Sequence, residues 1–253
     1  MPPLIALLLT ALLGAQTFTR AQDLPAHRGY AGMAFGSPSA FALGWGAVGA
    51  GAYAQTLSAP DAKRDGSAAV AFGLGDADRF VALETAVTFA SLSGSQGSSA
   101  RFGDVGAFSF KVSRSLGEGG ALAAGVLSAT SWGYTKPWEQ PTYYLVGTRI
   151  LPLQTGLGPR PLVLSLGVAS SGFEKTLVVD KVRTRAFGSV AFYFNRQVSL
   201  IADHTGRFAN LGLSIAPFAQ VPLTVTLGAV NLGDADRLGR QFGIAVGAAF
   251  RAF

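Results

Sequence analysis

The chain has 253 residues, of which 13% are charged and 49% hydrophobic, with 33 glycines, 18 phenylalanines, no cysteine and a net charge of +6. The charged share is about half that of an ordinary soluble domain, and the lack of cysteine excludes disulfides and thiolate metal sites. Lys and Arg are scattered without a dense cluster, so the basic balance leaves no footprint for nucleic acid.

The first element is a leader. Leu4–Leu13 (LIALLLTALL) has the length of a signal-peptide core, although Met-Pro-Pro before it lacks the usual Lys or Arg. Thr19-Arg20-Ala21 is a small-x-small exit, so residues 1–21 are expected to be removed and Gln22 to start the mature chain. Residues 22–43 are loop-like and rich in Gly, Ser and Ala. They are expected either to hang as a periplasmic N-terminal tail or to enter a lumen as a partial plug. Beyond residue 21 no run approaches the roughly 18 apolar residues of a transmembrane helix.

From residue 44 to 253 the chain reads with period two. Twelve strands are expected, at 44–55, 67–75, 79–91, 104–115, 121–130, 142–151, 161–171, 185–194, 198–205, 208–216, 222–231 and 240–252. Phe108, Phe110 and Val112 alternate with Ser109, Lys111 and Ser113, and Leu211, Leu213 and Ile215 with Asn210, Gly212 and Ser214. Leu162–Val168 and Leu223–Leu227 read the same way, whereas the fifth (GALAAGVLSA) and ninth (VSLIADHT) segments alternate poorly. A soluble sandwich buries its large face and shows water a charged one. Here the second face is small instead, which suits a membrane barrel with large residues toward lipid and small ones toward a narrow interior. The expectation is an all-β, closed, antiparallel, up-and-down transmembrane β-barrel of about 12 strands. Its odd connections are long (56–66, 92–103, 131–141, 172–184) and its even ones mostly short. The exceptions are Pro152–Arg160, a longish even turn, and Gly206-Arg207, a tight odd one. Both chain ends then lie in the periplasm, and closure leaves no unpaired edge in lipid.

The hexapeptide LGDADR occurs twice, at Leu74–Arg79 and Leu232–Arg237. The strand map puts the copies at opposite ends of the barrel, which excludes one shared ligand site and leaves turn chemistry by Gly and Asp. A calcium site is the sharper alternative, short of oxygen ligands. In the last strand Phe242, Ile244, Val246 and Phe250 share a phase that Phe253 leaves.

GSPSAF (36–41), GWGAVGAGAYAQ (44–55), FGLGDADRFVALE (72–84), GDVGAFSFKVSRSL (103–116) and IADHTGRFANLGLS (201–214) span most of the mature chain. Together they resemble the recurring stretches of a group of uncharacterised, exported, outer-membrane-type barrel proteins of cyanobacteria and related bacteria. The resemblance implies export and a barrel, and carries over no catalytic residue.

Glu84, Lys111, Arg149 and Asp203 are expected on the small-residue face, lining a pore or bracing a filled lumen. Trp132, Tyr134, Trp138, Tyr143 and Tyr144 are expected to form an aromatic girdle at the external rim, with a carbohydrate patch as the sharper alternative. Asp203-His204 invites a hydrolase reading but has no nucleophile, and His27 precedes the barrel. Neither a metal nor a cofactor is expected, nor catalysis. The expected role is a small passive pore or a structural outer-membrane protein, with outer-membrane lipid, the barrel-insertion machinery and small polar solutes as partners. A soluble exported β-domain binding a sugar or other ligand and an outer-membrane barrel enzyme are the alternatives.

Overall fold

The computed structural model describes residues 30–56, 65–89, 102–133, 141–156, 158–170, 185–233 and 239–252. The signal-peptide reading therefore lies outside the described residues. Twelve strands follow in order: β1 (Ala47–Gln55), β2 (Asp65–Gly75), β3 (Ala82–Phe89), β4 (Gly106–Ser115), β5 (Gly120–Trp132), β6 (Thr142–Thr155), β7 (Gly158–Ala169), β8 (Arg185–Asn195), β9 (Val198–His204), β10 (Ala209–Ile215), β11 (Leu223–Val230) and β12 (Gln241–Arg251). Each pairs antiparallel with its chain neighbours, and β1 pairs with β12, closing an up-and-down barrel. Every segment expected from the period-two pattern is a strand. The largest shift is in β6, which ends at Thr155 rather than Leu151.

The alternation sorts side chains by face. On β4 Phe108, Phe110 and Val112 are exposed while Ser109, Lys111 and Ser113 are buried. On β10 Leu211, Leu213 and Ile215 are exposed while Asn210 and Ser214 are buried, and on β12 Phe242, Ile244 and Phe250 are exposed while Gln241 and Ala245 are buried. The barrel is thus bulky and apolar outside, while its inner face mixes small and hydroxyl side chains with a few large ones, Tyr53, Phe187 and Tyr193 among them. No helix among the described residues is long and apolar enough to cross a membrane, which says nothing of strands.

Two departures from regularity have local causes. The expected even turn at Pro152–Arg160 is instead strand: Pro152 pairs with Pro161, Leu153 with Arg160 and Thr155 with Gly158. The β5–β6 ladder stops at Gly120–Arg149 and the β7–β8 ladder at Leu162–Phe192, so this hairpin tip runs on past its neighbours. Proline lacks an N–H to donate, and Pro152, Pro159 and Pro161 fall where no further strand needs one. In β5 the weak alternation reflects a bulge. The β4 register jumps between Phe108 and Phe110, Ser128 takes φ 51, and Ser109 Oγ accepts the Ser128 N–H at 3.1 Å.

The first LGDADR copy is turn chemistry. Asp76 Oδ1 accepts the N–H groups of Asp78 (2.8 Å) and Arg79 (3.1 Å), and Gly75 takes φ 75. The second copy begins on the β11–β12 connection at the other end of the barrel, and its Asp234–Arg237 lie outside the described residues.

Aromatic residues mark both rims on the outside. At the odd-numbered end Phe89, Phe102, Phe108 and Trp132 stack with centroid distances of 5.1–6.1 Å, and Trp132 Nε1 donates to Gly103 O at 2.8 Å. At the even-numbered end Trp45, Phe80, Phe194 and Phe218 are exposed.

Candidate functional site

The lumen is occupied by the chain's own N-terminal segment. Residues 31–44 are buried and run inside the barrel as a strap. The strap enters at the even-numbered end, where Ala31 N donates to Arg196 O in the β8–β9 turn (2.9 Å) and Thr224 Oγ1 of β11 donates to Tyr30 O (2.8 Å). It climbs along β8–β10: Gly32 N donates to Ser214 Oγ (2.7 Å), Ser199 Oγ to Gly32 O (2.6 Å), Tyr193 OH to Ala31 O (2.9 Å) and Ser189 Oγ to Met33 O (3.4 Å). At the apex Gly36 and Ser37 donate to Asp203 Oδ2, at 2.6 and 2.7 Å. The strap then crosses the lumen and descends. Ala40 N donates to Thr148 Oγ1 (2.8 Å), Ser113 Oγ donates to Ala40 O, and Leu43 N donates to Glu84 Oε2 (2.9 Å) before the chain turns into β1.

This geometry explains the Ser and Thr of the inner face. A buried peptide must satisfy its N–H and C=O groups, and the strap has no strand partner to do so. Hydroxyls on β4, β6, β8, β9, β10 and β11 take the place of that partner. The inner glycines have a second use, because aromatic side chains pack directly against them. A Cβ on Gly167 would fall 2.8 Å from Phe187 Cε1, one on Gly228 2.6 Å from Phe35 Cε1 and one on Gly243 2.6 Å from the Tyr53 hydroxyl. Phe35 meets Tyr53 edge to face at 6.2 Å, and Tyr144 meets Phe187 in the same way at 6.4 Å. Lumen-facing Ser67, Thr88, Ala107 and Ile201 have no exposed surface, so the interior at these positions is packed rather than open.

Of the four expected lumen charges, three face inward. Lys111 Nζ and Glu84 Oε1 form an ion pair at 3.0 Å, with side chains 4% and 2% exposed. Glu84 uses its other oxygen on the strap, as described. Asp203 is balanced by hydrogen bonds: besides the two strap N–H groups, Asn210 Nδ2 donates to its Oδ1 at 2.7 Å. Arg149 is a correction. It lies in the outward phase of β6 with Tyr143 and Leu145, not in the lumen. Its strand carries bulky residues on both faces, so side-chain size does not set the phase. Its place at the rim lets the guanidinium reach polar surroundings from the outer wall.

The expected girdle is split. Trp132 and Tyr143 stand on the outside at the odd-numbered end. Tyr144 is corrected to the lumen: it is 7% exposed against 63% for Tyr143. Tyr134 and Trp138 lie outside the described residues. Asp203 and His204 are neighbours on one strand and so point to opposite faces. Asp203 is buried against the strap, whereas His204 is exposed and its Nδ1 accepts the Gly206 N–H at 3.0 Å. Of the 22–43 segment, residues 30–43 take the plug arrangement, and 22–29 lie outside the described residues.

Sequence reasoning placed Ser113 and Ser214 on the small face without giving them a role, and gave none to Thr148, Ser189, Ser199 and Thr224. The signal that could have found them was a hydroxyl on the small face of strand after strand. Gly73 was also missed. A Cβ there would lie 2.5 Å from the carbonyl carbon and oxygen of Leu43 and against Gly44 O, all backbone. Gly73→Val is therefore expected to cost at least about 1–3 kcal/mol through overpacking. The check is the midpoint of urea unfolding in detergent micelles. No protein-family model and no curated protein matches the chain.

Proposed function

We propose that the protein is an integral outer-membrane β-barrel that is sealed at rest by its own N-terminal strap, and so is a structural or gated barrel rather than a standing passive pore. The membrane half of this reading is supported by the outward rows of Phe, Leu, Ile and Val between two aromatic rims. Leaving such a surface in water forgoes roughly 25 cal/mol for each Å², a gain that hydrocarbon supplies. The observation that carries the sealed half is the strap, whose backbone is bonded to both sides of the lumen. Insertion by the barrel-insertion machinery and contact with outer-membrane lipid belong to the same proposal. The soluble sugar-binding alternative would need the large face turned inward.

The test joins fractionation with conductance. The protein is expected in the outer-membrane fraction, released by detergent, with folded and heat-unfolded forms separating on a gel. In planar bilayers the intact chain is expected to give no steady conductance. Recovery in the soluble fraction would overturn the membrane reading, and steady open-channel current from the intact chain would overturn the seal.

A further inference from the structure

The outer wall at the even-numbered end carries a cationic sector that the sealed-barrel reading leaves unused. Arg114 on β4, Arg149 on β6 and Arg160 on β7 all take the outward phase. Their cross-strand partners are Leu122, Leu164 and Leu153 respectively. Each lies toward the even-numbered rim, and Leu151 and Leu153 carry the apolar face on past Arg149 along the hairpin tip. Arg149 is seated by a glycine: a Cβ on Gly120 would fall 3.0 Å from its Nη1, 3.6 Å from its Cδ and 3.6 Å from Leu116 Cβ. The bare Gly120 thus lets the guanidinium lie across β5 toward the β4 side. Arg114 Nη1 donates to Phe80 O, which ties that side chain to the next turn. Among the described residues the sector's one acidic side chain is Glu118 in the β4–β5 turn, and Arg160 already makes a contact of its own. Asp76, further round the rim, is engaged by its own turn and by Arg79 at 3.6 Å.

We propose that this sector binds the phosphate of an anionic glycerophospholipid in the leaflet that meets the even-numbered rim. The proposal rests on the membrane reading above. A guanidinium fork matches a phosphate bidentately and stays charged at any working pH. Leucines on the same outward face adjoin the three arginines, so acyl chains lie beside the site while the headgroup meets the cations.

The experiment is native mass spectrometry of the full chain released from micelles containing equal phosphatidylglycerol and phosphatidylcholine. Each engaged arginine is expected to favour the anionic lipid by about fivefold. R149Q/R160Q, which leaves Arg114 in place, is expected to lower the ratio by about 25-fold. Gly120→Leu, which keeps every charge but lifts the Arg149 side chain off its seat, is expected to lower it by several-fold. Arg251→Gln, at the same rim but in the lumen phase of β12, is expected to leave it unchanged. Equal retention of both lipids by the intact chain would overturn the proposal with no variant needed, as would an unchanged ratio in the double variant. Displacement of the lipid by millimolar inorganic phosphate would reassign the sector to a free anion. Enrichment of lipopolysaccharide over phosphatidylglycerol would place it in the wrong leaflet. A chain that stays dispersed without detergent and takes up no lipid would remove the membrane reading itself, which separates the two failures.

Discussion

Replacing Lys111 with Met is expected to lower unfolding free energy by about 3–5 kcal/mol, the cost of leaving a buried carboxylate without its cation. Glu84 is 2% exposed and has Lys111 Nζ at 3.0 Å on one oxygen and the Leu43 N–H on the other. Loss of the ammonium strands the first oxygen in a packed interior. The double variant E84Q/K111M is the informative partner. The amide that replaces the Glu84 carboxylate retains an oxygen for Leu43, no charge remains, and most of the lost stability is expected to return. Urea titration of the heat-modifiable gel band in micelles reads both. A single variant no less stable than the wild type would mean that the pair contributes nothing to the barrel.

Asp203→Ala has the second large effect, and its readout is functional. The carboxylate accepts the Gly36, Ser37 and Asn210 N–H groups at 2.6–2.7 Å. Hydrogen bonds to a charged group contribute roughly 1.5–3 kcal/mol each, so the strap apex loses several kcal/mol of anchoring at once. Intermittent conductance steps are expected from Asp203→Ala in planar bilayers where the wild type is silent. Asp203→Asn keeps an acceptor oxygen for the strap and is expected to stay mostly closed. A silent Asp203→Ala barrel of unchanged stability would refute the role of Asp203 as the latch.

Side-chain size at alternate positions makes the barrel legible. Phe108, Phe110 and Val112 against Ser109, Lys111 and Ser113 need no tertiary information, and the same contrast places Glu84 and Lys111 inside. Where the contrast fails, so does the reading. In β6 both faces are bulky, and Tyr144 and Arg149 are exchanged between lumen and outer wall. In β9 Ile201 faces inward and blurs the alternation. The tip at Pro152–Pro161 reads as a turn because proline interrupts ordinary strands, and only the missing neighbours explain why it is tolerated. The strap is not legible in local pattern at all. Residues 30–43 have no period of their own, since their conformation is dictated by hydroxyls and carboxylates drawn from strands far along the chain. The small face does point to the axis, but its Ser and Thr read as lining when in fact they hold a peptide.

Because Tyr30 and Gly44 both lie at the even-numbered mouth while Gly36 and Ser37 reach Asp203 near the far end of β9, the strap is a bight with both limbs at one mouth. Such a loop is not threaded: traction on the N-terminal side unfastens it peg by peg, beginning at Thr224 and finishing at Glu84. All of it can come out without parting a single strand from its neighbour. Its fourteen residues would release about 45–50 Å of slack at full extension, so a machine working from the termini's side could unstopper the cylinder while the wall stays whole.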